Sequence, residues 1–183
     1  MRLIRIGVAA LLLVGVISIF SCPTAQGPAY ERIVIETYRY KEGTANVDTY
    51  LRLYDAAGTL LAENNDITAS DLFSRIDYQA GLQPGTYYIE INSEATPFPN
   101  LGPYVVRALS LKLGDALPAY DYPGVIASEP WPDSDDVSVN NIPVTPKSIS
   151  LGVSNWLNRY LTTLPDHVGE PYDVDWCELV LPP

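Results

Sequence analysis

The chain has a single histidine, His167, in the stretch Thr163 to Gly169, so a Ser-His-Asp or Cys-His relay would have to be built around that one imidazole. No nucleophile stands beside it. The sequence also lacks a His-Glu-x-x-His zinc helix, a Gly-x-Ser-x-Gly elbow and a glycine-rich phosphate loop. His167 therefore reads as a surface residue, and the one enzymatic route left is a carboxylate pair of the kind that hydrolyses glycosides. Acidic groups as metal ligands are a stronger lead, because Ca²⁺ takes several hard oxygen ligands and tolerates irregular loops. Asn64, Asn65 and Asp66 form one such group; the competing reading is a solvated turn. The remaining chemistry is stacking. Among thirteen tyrosines and three tryptophans, Tyr38, Tyr40, Tyr50, Tyr54 and Tyr88 fall on strand positions that point away from the expected core. Exposed tyrosines suit a glycan or protein ligand, but they equally form cross-strand pairs that support a sheet.

Short β-type runs separated by turns position these residues, and no stretch has a helical period. Glu31 to Arg39 is rich in β-branched residues. In Asp48 to Asp55, Leu51 and Leu53 share one face while Tyr50, Arg52 and Tyr54 share the other. The leucines should point inward. Asp55-Ala56-Ala57-Gly58 is a turn, after which Thr59 to Glu63 returns as the second arm of a hairpin. Ser74 to Tyr78 and Thr86 to Ile91 flank a turn with two glycines and a proline, and Tyr104 to Leu111 closes the set. In Thr86 to Ile91, Tyr87, Ile89 and Ile91 alternate with Tyr88 and Glu90, as in an antiparallel sandwich with one wet face. Residues 114–147 combine Pro118, Pro123, Pro130, Pro132, Pro143 and Pro146 with five aspartates, which disfavours continuous ladders and reads as a linker. Ser148 to Leu151 and Asp173 to Leu181 are strand candidates beyond it.

The 183 residues carry 22 acidic and 11 basic side chains, a net charge of −11. The N-terminus has Arg2 and Arg5, then an uncharged run from Ile6 to Phe20, the layout of a secretory signal peptide. Taking Arg2 and Arg5 from the 11 basic residues leaves nine against 22, a net of −13. Such a surface repels nucleic acid and anionic lipid, and is also what keeps an exported protein soluble. The run ends Ile19-Phe20-Ser21-Cys22, which resembles a bacterial lipobox with Cys22 as the lipidated residue; cleavage after Ala25, with Cys22 discarded, is the competing reading. Cys177 is the second cysteine of two. With Cys22 acylated no intramolecular disulfide forms, and Cys177 becomes a small buried apolar residue.

Four segments in order resemble the bacterial pre-peptidase C-terminal domain family: Asp48 to Asp55, Gly58 to Asp66, Ser74 to Tyr78 and Pro84 to Ile91. The resemblance spans residues 30–111. It implies a jelly-roll β-sandwich of the kind appended to secreted enzymes, which assists export, substrate binding or surface attachment without being a catalyst. The tail resembles the beginning of the same family, with Glu129-Pro130 and Asp133-Ser134 like its acidic opening and Asp173 to Leu181 like its first long strand. The halves stand in reversed order. By this resemblance Glu129, Asp133, Asp173 and Asp175 would be the calcium ligands, although Trp131-Pro132 departs from the family's short polar link. Two arrangements remain open: Asp173 to Leu181 folds back into the vacant lane of the first sandwich, or it is an unpaired fragment, an aggregation liability.

The expected organisation is a signal peptide at 1–21, a tether at 22–29, an all-β sandwich at 30–113, a linker at 114–147 and a partial opening segment at 148–183. The expected function is that of a non-catalytic, membrane-anchored lipoprotein facing the periplasm or cell surface. It would touch the bilayer through acylated Cys22 and bind a protein, a glycan or calcium, but no nucleic acid. The alternatives are a structural spacer or subunit of an envelope assembly, and a secreted hydrolase using a carboxylate pair.

Overall fold

A computed structural model describes residues 29–44, 46–93, 102–124, 138–152, 156–161 and 173–183. Cys22, the leader, Glu129, Asp133 and His167 lie outside the described residues. Eleven strands are formed, with no helix among the described residues: β1 (Arg32–Arg39), β2 (Tyr50–Asp55), β3 (Leu60–Asn64), β4 (Arg75–Tyr78), β5 (Gly85–Asn92), β6 (Gly102–Leu111), β7 (Ser138–Val139), β8 (Ile142–Pro143), β9 (Lys147–Ile149), β10 (Trp156–Leu161) and β11 (Asp175–Leu181). A four-stranded sheet has the order β10-β6-β1-β4, a five-stranded sheet the order β3-β2-β5-β11-β9, and β7-β8 is a separate hairpin. The protein is thus all-β, with two larger sheets that share one core.

The core follows from strand alternation. Ile33 and Ile35 of β1, Ile76 of β4, and Tyr104, Val106 and Ala108 of β6 come from one sheet. Leu51 and Leu53 of β2, Ile89 and Ile91 of β5, and Cys177, Leu179 and Leu181 of β11 meet them from the other. Tyr50, Arg52 and Tyr54 point outward, as the alternation in β2 requires.

The last strand lies inside the sheet. β11 runs antiparallel to β5, with Cys177 opposite Ile89 and Leu179 opposite Tyr87, and parallel to β9, with Leu179 opposite Ile149. Fully burying each aliphatic side chain of β11 contributes about 1.5–3 kcal/mol. Central placement also satisfies the backbone donors and acceptors that an edge would leave open.

The region read as a linker is more structured than its composition suggests. Asn140 and Asn141 both have positive φ, 54° and 61°, and turn β7 into β8. Asparagine tolerates that left-handed region, which two-residue hairpin turns of this kind need at both central positions. The hairpin abuts the β2–β3 turn: a Cβ added at Gly58 (φ +79°) would stand 2.1 Å from the Asn140 carbonyl oxygen. Residues 115–124 lie over the outer face of the four-stranded sheet. β10, which the sequence pattern did not reveal, pairs with β6 and places Trp156 opposite Arg107.

Candidate functional site

The outer face of the four-stranded sheet carries Arg32, Val34, Glu36 and Tyr38 of β1 beside Arg75 and Asp77 of β4 and Arg107 of β6. Register sets Glu36 opposite both Arg75 and Arg107. Arg107 Nε donates to Glu36 Oε1 at 2.8 Å and Arg75 Nε to Glu36 Oε2 at 2.7 Å; Glu36 and Arg107 are fully buried. Two guanidiniums thus share one carboxylate. The segment over them has prolines, which donate nothing, but its carbonyls accept: Pro118 and Ala119 from Arg107, and Asp115 from Arg32. Tyr120 stacks on Tyr38 at 4.6 Å between centroids, and the two rings flank Arg107 at 4.9 and 5.1 Å. Burial pushes the Tyr38 phenol up to about 12. Tyr38 is 1% exposed. The expectation of an exposed Tyr38 is corrected here: the outward position is real, but residues 115–124 cover it. Tyr40, just past β1, is half-buried, and its carbonyl accepts from the Gly124 amide at 2.8 Å.

Tyr50, Tyr54 and Tyr88 lie on the opposite side of the molecule, on the outer face of the five-stranded sheet, so the five tyrosines do not form one platform. Here a cross-strand row reads Glu63, Arg52, Glu90, Trp176. Arg52 Nη1 donates to Glu90 Oε1 at 2.7 Å, and its guanidinium lies 4.3 Å from the Tyr50 ring centroid. Tyr50 Oη donates to Glu63 Oε2 at 2.7 Å and Tyr54 Oη to Glu90 Oε2 at 2.6 Å. Tyr54 packs against Trp176 at 5.6 Å and is buried, which corrects the expectation that it is an exposed aromatic. Burial, then the bond to Glu90, pushes its phenol well above the ordinary range. Tyr50 and Tyr88 remain half-buried. Asn92 Nδ2 donates to Glu90 Oε1 at 2.8 Å, while Asn92 Oδ1 and Ser93 Oγ are buried oxygens with no hydrogen-bond partner.

Of the four carboxylates set out as calcium ligands, Glu129 and Asp133 lie outside the described residues. Asp173 and Asp175 are both buried, and Tyr104 Oη donates to Asp175 Oδ2. Tyr104 belongs to the other sheet, so this bond ties the two sheets across the start of β11. Among the described residues no three His, Cys, Asp or Glu side chains gather as a metal cage. A different acidic place stands out. Asp48, just before β2, is 9% exposed, and burial with the nearby Asp66 charge raises its carboxyl above the usual range.

Sequence reasoning missed Arg107, Glu36 and Asp48. The first two carried a signal: Arg107 interrupts an apolar strand at an outward position, and Glu36 does the same in β1. No protein-family profile, curated protein or solved structure matches the chain.

Proposed function

We propose that the chain is an exported, non-catalytic binding module of the cell envelope, anchored through acylated Cys22. Its sandwich has the jelly-roll character implied by the resemblance to pre-peptidase C-terminal domains. Its ligand surface is the outer face of the five-stranded sheet. The observation that carries this reading is the row Glu63–Arg52–Glu90 beside the half-buried Tyr50 and Tyr88. It offers ring faces, carboxylate acceptors and a guanidinium donor on a flat sheet, a combination suited to a glycan or a polar protein surface. A purely structural role is the second reading, favoured by the internal engagement of the Tyr54 and Tyr50 hydroxyls.

Two experiments test the proposal. Fractionation of cells expressing the chain and its Cys22→Ser variant should move the protein from the membrane to the soluble extracytoplasmic fraction; identical fractions refute the anchor. Titration against envelope glycans and envelope proteins should give saturable binding that Tyr50→Ala or Tyr88→Ala weakens at least tenfold. Binding that survives both substitutions moves the site elsewhere, and a complete lack of saturable binding leaves the spacer reading.

A further inference from the structure

β3 ends the five-stranded sheet on one side, with β2 as its ladder partner. The Asp55 amide donates to the Thr59 carbonyl at 3.0 Å, so Asp55 turns its backbone groups toward the returning arm of the hairpin. Alternation along β2 gives Leu53 and Leu51 the same direction, and their partners Ala62 and Asn64 face β2 in return. Glu63, between those two, therefore points its amide and carbonyl away from the sheet. Among the described residues no hydrogen bond reaches either group.

The side chains on this open edge are accessible as well. Leu60 is 45% exposed and the Glu63 side chain 48%. Tyr50 Oη donates to Glu63 Oε2 at 2.7 Å and Arg52 Nε stands 3.5 Å from the same oxygen, which holds the carboxylate in place; Glu63 Oε1 has no partner among the described residues. An edge with unpaired backbone groups is a template for another strand, and a charge on that edge decides which strands can join it. A second copy of this chain would bring the same carboxylate and a net charge of −11, so like charges would oppose the pairing. The charge that turns away a copy admits a segment of opposite sign.

We propose that the β3 edge takes an extended, basic segment of a partner protein as an added strand, with a lysine or arginine of that segment beside Glu63 and an apolar residue against Leu60. This inference rests on the binding reading of the outer face, to which Glu63 belongs, and narrows the ligand to a cationic polypeptide. Leu60 separates a polypeptide from a glycan. An aliphatic side chain offers a sugar no ring face to stack on, whereas it offers a strand a cross-strand neighbour. Main-chain bonds along the edge supply affinity, and the carboxylate supplies selection.

The test is fluorescence anisotropy of the full chain with three labelled decapeptides: alternating lysine and valine, lysine and proline, and glutamate and valine. The proline peptide keeps the charge of the first and lacks the amides that a ladder needs. The lysine–valine peptide should bind saturably and about tenfold tighter than either other, weaken as salt rises, and slow hydrogen exchange at the Glu63 amide. Glu63→Gln should weaken it about threefold and Glu63→Lys about tenfold, the scale of one cross-strand charge pair lost and then reversed. Glu63→Pro, without the edge donor, should not bind; should that variant fail to fold, Glu63→Lys on its exposed side chain carries the reading. Equal binding of the lysine–proline peptide overturns the added strand, and equal binding of the glutamate–valine peptide overturns the cationic partner. Lysine–valine binding that is absent, or undiminished in Glu63→Lys, overturns the proposal, as does a dimer in sedimentation that Glu63→Pro dissociates, which would make a second copy the occupant. Failure here with Tyr50-dependent and Tyr88-dependent glycan binding intact removes this inference and leaves the proposed function standing; loss of every saturable ligand removes both.

Discussion

Replacing Arg107 with methionine keeps most of the side-chain volume and removes the charge. Glu36, fully buried, would keep only Arg75, whose side chain is 25% exposed. The Pro118 and Ala119 carbonyls would lose their donor, and the stack of Tyr38 and Tyr120 would lose the cation beside it. Removing one partner of a buried ion pair costs about 3–5 kcal/mol. Arg75 still neutralises Glu36, which argues for the lower end, and each deserted carbonyl adds up to about 1 kcal/mol where water cannot reach it. A total of about 4 kcal/mol follows, which for a chain of this size lowers Tm by about 10 °C. Glu36→Gln should cost more, because it leaves two guanidiniums with no carboxylate. Urea unfolding followed by fluorescence of the three tryptophans gives both values. Hydrogen exchange at Gly124, whose amide is bonded to the Tyr40 carbonyl, reports whether residues 115–124 have lifted. A loss below about 1 kcal/mol for Arg107→Met, with Gly124 still protected, would refute the idea that this cluster fastens the segment.

Leu179→Ala, at a fully buried position of β11, should cost about 2–5 kcal/mol in urea unfolding, and the amides of residues 176–181 should exchange more slowly than those of 115–124; equal exchange would contradict the central lane. Gly58→Ala must push a methyl toward the Asn140 carbonyl at an unfavourable φ of +79°, so it should lower stability by more than the roughly 1 kcal/mol usual for Gly-to-Ala at positive φ. The folded pKa of Tyr38, about 12, stands above that of the unfolded chain, so its contribution is complete below about pH 10 and is lost as pH rises toward 12; ultraviolet titration should show it among the last tyrosines to ionise. Asp77 has the opposite sign. Its hydrogen bond from Arg32 holds the carboxyl below the usual range, so that contribution is present at neutral pH and lost on acidification, and Asp77→Asn should flatten the acid limb by well under 1 kcal/mol because the pair is partly exposed.

The strands with regular two-residue alternation were legible. β2 and β5 each carry apolar residues at every second position, and their inward faces follow from that pattern alone. β11 was legible for its apolar Cys177, Leu179 and Leu181, but whether it entered the sheet depended on a vacant lane that no local pattern records. The β7–β8 hairpin could have been read from Asn140-Asn141 between Val139 and Ile142; the surrounding prolines and aspartates masked it. The cover formed by residues 115–124 was not legible. Its own side chains look like those of a linker because its carbonyls do much of the bonding, and their donors, Arg32 and Arg107, belong to the sheet beneath, Arg32 standing 83 residues from the Asp115 carbonyl it reaches. For the same reason the tyrosine positions were right in direction and wrong in exposure at Tyr38 and Tyr54: alternation fixes which way a side chain points and says nothing about what lies on top of it.

That distinction decides where a ligand should be sought. On the four-stranded sheet the outward tyrosine is already stacked, the guanidiniums are already bonded to backbone oxygens, and a ligand would have to displace Tyr120 together with three carbonyl acceptors. The unfavourable balance is several hydrogen bonds at about 1 kcal/mol each, before any new contact forms. On the five-stranded sheet the bonds run within the row, and Tyr50, Tyr88 and the 48% exposed side chain of Glu63 can meet a ligand without dismantling it. The proposed binding role therefore predicts a clean division between two substitutions. Tyr38→Ala should lower Tm with ligand affinity unchanged at temperatures where the protein stays folded, whereas Tyr50→Ala should weaken binding with a much smaller loss of stability. If Tyr38→Ala weakens binding and Tyr50→Ala does not, the ligand face lies beneath residues 115–124, and that segment must open for binding.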